Sequence, residues 1–403
     1  MGYLFLLFGT FEMYAEPLLV VAIMVKNEEA VIQKTLEPYL KADPEGKNIA
    51  YLVFDTGSTD LTIQKALELF KMYGITNCHI CQEEFVDFST SRNRALDLVE
   101  HYYPKATFVL MPDAEWYIND VPALLAYCNK EKNNEQFGPY FIRIIEHTLD
   151  FFVPRLIRQK LHSRFKEVVH EALVVYAEHI PYTRLPASIF FEYKPTDVSK
   201  ENSKRRHLRD LELLLNAYKK DPNNMHTTYY LGQTYESLGD WAHAYKFYDI
   251  RARQRGWEED NFLAQYKAAY CAHNLAKQDK SISWDFVHGL YLQAYSMRPT
   301  RIEPLVRIAV HYFEEKNMPL AYLYAKYALD IPYPEKDTNF VEKEMYHYSR
   351  YILVGISAWD MQLYEIGESA LQKALAAQPD NTLIMQNLKS YNDRRLDINL
   401  LSQ

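Results

Sequence analysis

The spacing of apolar residues changes near residue 200, and this change constrains the fold more than any other feature of the sequence. From residue 17 to about residue 195, apolar runs of strand type alternate with segments of helical periodicity. After residue 200 the strand-like runs end and helical periodicity continues alone. We therefore predict two domains: an α/β domain over residues 17–198 and an all-α domain over residues 199–403.

The first domain begins with repeated strand–helix units. Apolar runs predict four strands, at residues 18–25, 49–56, 77–81 and 107–111. Helical segments follow the first three strands, at residues 27–42, 57–74 and 89–103, and Asn27 is a plausible N-cap for the first of them. This alternation predicts a mainly parallel, Rossmann-like sheet covered by helices on both faces. Ligands in such folds bind at the carboxyl ends of the strands.

The second domain carries a repeat pattern. Residues 229–256 contain small and aromatic residues at fixed offsets, namely Leu231, Gly232, Tyr235, Gly239, Ala244 and Tyr248. The last unit closes with Gly355, Ala374 and Pro379. This spacing is typical of tetratricopeptide repeats, in which small residues let paired helices approach and aromatic residues fill the gaps. Much of the tyrosine content lies here, so it requires no special ligand.

Charge, hydropathy and cysteine usage narrow the class of protein. A formal net charge of −8 argues against broad electrostatic binding to nucleic acid, and the basic run at residues 204–206 is interpreted as a solvated helix start. No segment is long and apolar enough to cross a membrane. The CxxC pair of Cys78 and Cys81 has no second pair at zinc-ribbon spacing, which indicates reduced thiols in a reducing, cytoplasmic compartment.

Two carboxylates follow the buried strand at residues 107–111. Asp113 and Glu115 repel each other and resist desolvation at the lip of a core, so a cationic group should lie near them. A divalent ion bound to a phosphate ester is one answer, and Mg²⁺ or Mn²⁺ would suit carboxylate oxygens. A turn that exposes both side chains to water is the other answer.

Polar residues at two further positions are candidates for ligand binding. Asp55 ends the second strand and could accept hydrogen bonds from a nucleobase or ribose, although a capped helix start would also explain this turn. Arg92 and Arg94 fall in the first turn of a predicted helix, where they oppose the helix dipole. A phosphate or acidic partner would explain them. Ion pairs with Asp87 or Asp97 are the alternative, and they account more easily for Arg94.

Five segments occur in a characteristic order: VAIMVKNEEAVIQKTLE, YLVFDTGSTDLT, FVDFSTSRNRAL, FVLMPDAEW and PRLIRQKLHSRFKEVVHEAL. Together they resemble glycosyltransferase family 2, of GT-A fold, in the subgroup with C-terminal tetratricopeptide repeats. The resemblance covers roughly residues 18–260 and includes the junction between the two domains.

The resemblance implies a role for each matching residue. Glu28 and Asp55 match positions that hold the nucleoside, and Arg92 matches a position near the base or diphosphate. Asp113 and Glu115 match the metal-binding acid motif, with Asp113 also next to the donor. His170 and Glu171, near the end of the fifth segment, match a His-Glu pair that faces the active site in the family. The resemblance implies His170 as a metal ligand and Glu171 as the general base that acts on the acceptor. The implied cofactor is Mn²⁺ or Mg²⁺.

One departure from the family pattern leaves two functions open. The subgroup usually reads Asp-Ala-Asp-Glu where this chain has Asp113, Ala114, Glu115 and Trp116. The first function is an inverting, metal-dependent transferase that uses a nucleoside-diphosphate sugar, with uridine expected. Its repeats would present a protein or glycan acceptor or mediate self-association as a homodimer. The second is a catalytically inactive scaffold whose repeats bind a protein partner.

Overall fold

The computed structural model describes residues 16–134, 138–146, 149–175, 182–194, 203–337 and 339–401. The chain forms two compact units, Met1–Ala217 and Tyr218–Gln403. The division falls within a helix, about one helix later than the predicted boundary at residue 198. No helix in these described ranges has the length and apolar character needed to span a membrane.

The first unit contains a nine-stranded sheet, a separate two-stranded sheet and four helices in its described part. The strands are β1 Leu19–Val25, β2 Ile49–Asp55, β3 Cys78–Gln82, β4 Phe108–Leu110, β5 Trp116–Ile118, β6 Tyr140–Glu146, β7 Leu149–Arg158, β8 Arg164–Lys166, β9 Ala172–Val174, β10 Thr183–Arg184 and β11 Phe190–Tyr193. The helices are α1 Ile32–Ala42, α2 Thr62–Met72, α3 Phe88–Tyr102 and α4 Val121–Glu131. The four predicted strands and three predicted helices are confirmed.

The large sheet has the order β3-β2-β1-β4-β7-β6-β11-β5, and β10 pairs with β6. Strands β3, β2, β1 and β4 are parallel, whereas β7 runs antiparallel to both β4 and β6. Val25 at the end of β1 pairs with Asp55 at the end of β2, so these two strands finish at the same edge. The segments that follow β1, β2 and β4 therefore meet at one end of the sheet.

Helices cover both faces of the sheet, as the strand–helix alternation predicts. Val21 and Ile23 of β1 join one apolar core with α1, α2 and α4, while Val20 and Ala22 join a second core with α3. Strand β2 is buried along its whole length, which is typical of parallel strands covered on both faces. Burial of each large aliphatic side chain contributes about 1.5–3 kcal/mol, so the central strands anchor the loops that follow them.

Helices account for most of the described residues from Ser203 onward. They are α5 Ser203–Lys220, α6 Met225–Ser237, α7 Trp241–Arg253, α8 Glu258–Gln278, α9 Trp284–Met297, α10 Glu303–Glu314, α11 Met318–Leu329, α12 Arg350–Asp360, α13 Tyr364–Ala377 and α14 Thr382–Leu401. Helix α5 spans the division between the two units. Consecutive helices from α6 to α14 pack against each other, and this includes α11 and α12, which a longer connection joins.

The small residues of the predicted repeat pattern lie where helices touch. A Cβ atom on Gly232 would lie 2.8 Å from the ring of Tyr248, and one on Gly355 would overlap Leu371. Ala244 and Ala374 are fully buried. These contacts confirm the repeat prediction at both of its clear units, because each position admits only a small side chain.

Candidate functional site

The loops that follow β1 and β2 are hydrogen-bonded to each other. The backbone N–H of Asn27 donates to Ser58 Oγ at 2.8 Å, and Asn27 Oδ1 accepts from the N–H of Thr59 at 2.8 Å. The N–H of Glu28 donates to Thr62 Oγ1 at 2.7 Å. The predicted N-cap role of Asn27 is wrong, since α1 begins at Ile32 and Asn27 has a left-handed φ of 58°. Its side chain instead fixes the loop that carries Glu28.

Asp55 is fully buried, and its carboxylate organises the turn after β2. It accepts hydrogen bonds from the N–H groups of Gly57 at 3.1 Å and Ser58 at 3.0 Å, from the Ser58 hydroxyl, and from Gln82 Nε2 at 2.9 Å. The expected capped helix start is not formed here, since α2 begins at Thr62 and Leu61 before it makes no side-chain cap hydrogen bond. The role of Asp55 in holding a nucleoside stays a prediction.

A cluster of two buried arginines, one buried carboxylate and one partly exposed carboxylate lies at the centre of the site. Arg92 donates from Nε to Glu171 Oε1 and from NH2 to Asp113 Oδ1, both at 2.5 Å. Arg155 donates from NH2 to the same Glu171 oxygen at 3.0 Å and lies 3.9 Å from Asp113 Oδ2. We call these four residues the arginine–carboxylate cluster. An acidic partner for Arg92 was one predicted alternative, and it is confirmed.

The cluster controls the charge of Glu171. Burial alone would raise the pKa of this carboxyl, but Arg92 and Arg155 outweigh burial and lower the pKa to about 2. The side chain of Glu171 is only 7% exposed. In this state Glu171 is an ionised ion-pair partner and a weak base.

Arg155 is a site residue that the sequence reasoning missed. It lies on β7, and its guanidinium is 5.4 Å from the ring centre of Trp116 and 5.5 Å from that of Phe165. Within the described residues, Arg155 Nε and Arg92 NH1 are buried and have no hydrogen-bond partner. Buried donors without acceptors are costly, so these two N–H groups indicate a place for an anionic ligand. The segment PRLIR contributed to the family resemblance, but nothing local distinguishes its first arginine.

Arg94 has a different partner from the ones predicted. Its Nε donates to Glu83 at 2.9 Å, so the expected ion pair with Asp87 or Asp97 is wrong. Asp87 instead caps α3 by accepting from the N–H of Thr90 at 2.7 Å, and Asp97 pairs with Arg164. Arg94 therefore has a surface ion pair and lies outside the arginine–carboxylate cluster.

The charges of Asp113 and Glu115 act on Glu28 at the edge of the sheet. The pKa of Glu28 is raised from 4.5 to about 7, first by burial and then by the charges of Glu115 and Asp113, while Arg206 lowers it slightly. Arg206 lies on α5 and is exposed, as the predicted solvated helix start requires. Its positive charge nevertheless lowers the pKa of Glu28. One turn further on, the guanidinium of Arg209 lies 5.1 Å from the ring centre of Phe88 at the start of α3.

Trp116 explains the departure from the usual acid motif. Its side chain is 8% exposed and packs against Phe191, with ring centres 5.7 Å apart. The N–H of Trp116 donates to Asp113 O at 3.1 Å, and the hydroxyl of Thr35 donates to Ala114 O. The residue at this position therefore begins β5 as part of the core, and Asp113 and Glu115 precede it on a fixed turn.

The predicted metal ligands do not form a complete site by themselves. His170 is exposed and has a left-handed φ of 53°. In the part of the chain that the structure describes, no three carboxylate, imidazole or thiol groups are grouped as a metal ion would require. His170 therefore does not complete a ligand set with Asp113 and Glu115. Two carboxylates still fit an ion that takes its other ligands from a diphosphate and water, which is the usual arrangement for Mg²⁺.

A comparison with known protein families found a match within the first unit. Residues 20–157 match the family model described as Glycosyl transferase family 2. The match contains Glu28, Asp55, Arg92 and Arg155 together with the Asp113–Glu115 motif, whereas His170 and Glu171 lie beyond it. Residues 20–157, within the first unit, are thus similar to a glycosyltransferase family 2 domain. The helices that follow lie outside this match.

Solved structures give weaker likenesses. TarS from S. aureus, residues 1–349 in complex with UDP, is 15% identical with a TM-score of 0.33, covering 70% of this chain and 89% of its own. A thermophilic TPR protein from Thermus thermophilus is 16% identical with a TM-score of 0.32, and the match covers 48% of this chain and 93% of that protein. MamA is 15% identical with a TM-score of 0.34, covering 45% and 94%. These scores are too low to support an argument. No curated protein sequence matches the chain.

Proposed function

We propose that this protein transfers a sugar from a nucleoside-diphosphate donor, with uridine as the expected nucleoside, to a hydroxyl, amine or thiol acceptor with inversion at the anomeric carbon. The observation that carries the proposal is the arginine–carboxylate cluster, three of whose four residues (Arg92, Asp113 and Arg155) lie within the segment that matches glycosyltransferase family 2. Its two buried guanidinium groups each keep one N–H without a partner among the described residues. The cluster lies where the carboxyl ends of β1, β2 and β4 meet, the usual ligand edge of such sheets.

The donor diphosphate would bind to Arg92 and Arg155. Planar guanidinium groups suit phosphate oxygens, and both groups are held in place by Asp113 and Glu171. Asp113 and Glu115 would hold Mg²⁺ or Mn²⁺ together with the diphosphate. When bound, such an ion would neutralise the charge that develops on the leaving diphosphate.

Donor binding would convert Glu171 from an ion-pair partner into a general base. A diphosphate bound to Arg92 NH1 and Arg155 Nε places negative charge beside Glu171 and offsets the two guanidinium charges that hold the pKa of Glu171 near 2. Burial, which raises the pKa, then dominates. Glu171 accepts the acceptor's proton as the acceptor atom bonds to the anomeric carbon and the carbon–oxygen bond to the diphosphate breaks. A single displacement of this kind inverts the anomeric centre.

The helical repeats would bind the acceptor. Stacked helical repeats bind proteins and other polymers along extended surfaces, so a protein or glycan acceptor is proposed for this unit. Self-association as a homodimer is a further proposal for the same helices.

Calorimetry with UDP tests the donor assignment through Arg155. Replacing Arg155 by Ala removes one diphosphate ligand and should weaken UDP binding by about tenfold to a hundredfold, as expected for a charge-assisted contact of roughly 1.5–3 kcal/mol. Arg94→Ala is the matched control, because Arg94 pairs with Glu83 on the surface, and it should bind UDP as the parent does. Equal UDP affinity in the Arg155→Ala protein would contradict the proposed diphosphate site. A protein that binds no nucleotide at all would favour the inactive scaffold.

A further inference from the structure

The helical unit contains a cavity of about 480 Å³. Helices α6, α7 and α8 line it together with the segment that precedes α12, and the aromatic contributors are His226, Tyr229, Tyr230, Trp257 and Phe340. Its volume falls in the range of small-molecule sites. None of the residues discussed for the transferase site belongs to it.

Two large aromatic side chains at this cavity remain exposed to solvent. Trp257 is 52% exposed and Phe340 is 56% exposed, although both contribute to the cavity lining. Below them Tyr229 is buried and lies 5.2 Å from Tyr230, measured between ring centres. The cavity therefore offers flat apolar faces that neighbouring side chains leave partly uncovered, which is typical of a binding site.

The two charged side chains of the cavity, Asp260 and Arg251, carry opposite charges. Asp260 accepts a hydrogen bond from Asn339 Nδ2 at 2.7 Å and another from Arg251 NH2 at 3.3 Å. The carboxylate and the guanidinium cancel in charge, so the cavity suits a neutral ligand better than a bare cation or anion. The side chain of Asp260 is still 40% exposed, which leaves it accessible to hydroxyl donors.

The wall that carries Phe340 is fixed in place. Phe340 has a left-handed φ of 37°, which is rare for a bulky residue. Arg301 is fully buried and donates to the backbone oxygens of Asn339 at 3.1 Å and Phe340 at 3.0 Å. The N–H of Asn339 donates to Glu259 Oε2 at 3.0 Å. Backbone strain of this kind persists where the surroundings impose it, and it concentrates at ligand sites.

We propose that this cavity binds a neutral carbohydrate of about one or two sugar rings. A sugar ring has an apolar C–H face that packs on aromatic rings and hydroxyl groups that bond to carboxylate, amide and guanidinium groups, and the cavity supplies both sets. A polypeptide would need an extended groove or sheet edge rather than a compact, solvent-open cavity of this size. The inference rests on the proposed function in one respect, because it takes the bound sugar to be part of the glycan on which the transferase acts.

Saturation-transfer NMR on the full chain tests the cavity with a panel of neutral methyl glycosides, including glucoside, galactoside, mannoside and N-acetylglucosaminide, at millimolar concentrations. The variants are Trp257→Ala and Phe340→Ala. Phe286→Ala is the matched control, because Phe286 is 47% exposed on α9 and does not line the cavity. The proposal expects saturable binding of at least one glycoside to the parent and to Phe286→Ala, weakened about tenfold or more in the other two variants.

Two outcomes would overturn the proposal. One is that no glycoside binds, whether or not a synthetic peptide binds in a Trp257-dependent way. The other is that glycoside binding is unchanged in both Trp257→Ala and Phe340→Ala. Donor hydrolysis, measured in parallel, separates this proposal from the transferase assignment. Hydrolysis without glycoside binding would remove only the cavity site, and glycoside binding without any nucleotide binding or hydrolysis would remove only the transferase.

Discussion

Replacing Glu28 by Gln should stabilise the unliganded protein at alkaline pH. The pKa of Glu28 is raised from 4.5 to about 7 by burial and by the charges of Glu115 and Asp113. The folded protein therefore retains a proton that the unfolded chain loses, and the cost of ionising Glu28 grows as pH rises from about 4.5 through about 7. Below that window the cost is absent.

The magnitude follows from the same values. At about 1.36 kcal/mol for each pKa unit, the raised pKa corresponds to about 3 kcal/mol once Glu28 is fully ionised. Since Glu28 is only partly buried, solvent screening reduces this to about 2 kcal/mol. For a unit of this size, 2 kcal/mol shifts the thermal midpoint by about 4–8 °C.

Differential scanning calorimetry of the full chain at about pH 8.5 and about pH 4.5 measures the effect. Glu28→Gln should raise the midpoint of the affected transition at the higher pH and leave it nearly unchanged at the lower one. Glu45→Gln is the control, because Glu45 is an exposed carboxylate with a surface partner in Lys47. An equal midpoint for the parent and Glu28→Gln at both pH values would refute the argument that burial and the neighbouring carboxylates raise the pKa of Glu28.

Further predictions concern the proposed base, the acid limb of its pH profile and the repeat packing. Glu171→Gln should lower kcat by about a hundredfold to ten-thousandfold in a transfer assay, whereas Glu192→Gln, an exposed carboxylate, should leave kcat unchanged. In the parent, the acid limb of the kcat pH profile should lie at a higher pH than the acid limb of kcat/KM. The reason is that kcat reports the donor complex, in which the pKa of Glu171 has risen from about 2. Acid limbs at the same pH would contradict the proposed rise in the pKa of Glu171 on donor binding. Gly232→Ala should destabilise the helical unit by about 1–3 kcal/mol in chemical denaturation, since its Cβ would meet Tyr248, and Gly289→Ala, where a Cβ meets nothing within 4 Å, should not.

The sequence was most informative about the parallel strands and the repeats. Buried parallel strands read as continuous apolar runs, and the repeat positions are small because a neighbouring side chain occupies the space, as Tyr248 does opposite Gly232. The antiparallel strands β6 and β7 were not predicted. Their pairing depends on register between distant segments, which no local pattern encodes.

Long-range ion pairs were the least predictable part of the site. Arg92 and Glu171 are 79 residues apart in sequence and form a single hydrogen-bonded pair, and a lone arginine on a strand, such as Arg155, carries no sign of such a partner. The acid motif was visible because two carboxylates followed a buried run. His170 was assigned from the resemblance of the His170–Glu171 pair to the family pattern, yet its side chain is exposed and its backbone is left-handed.

The most direct test of the account is donor turnover. UDP-, GDP-, dTDP- and CMP-sugars are incubated with the full chain in Mn²⁺, Mg²⁺ or EDTA, with and without candidate acceptors, and the released nucleotide is measured. The account predicts release from a UDP-sugar that requires the metal and is lost in Asp113→Ala, while the exposed-residue control Asp120→Ala, which alters only the cap of α4, retains it. Metal-independent release that persists in Asp113→Ala would contradict the metal assignment. No release from any donor, together with no nucleotide binding, would contradict the transferase itself.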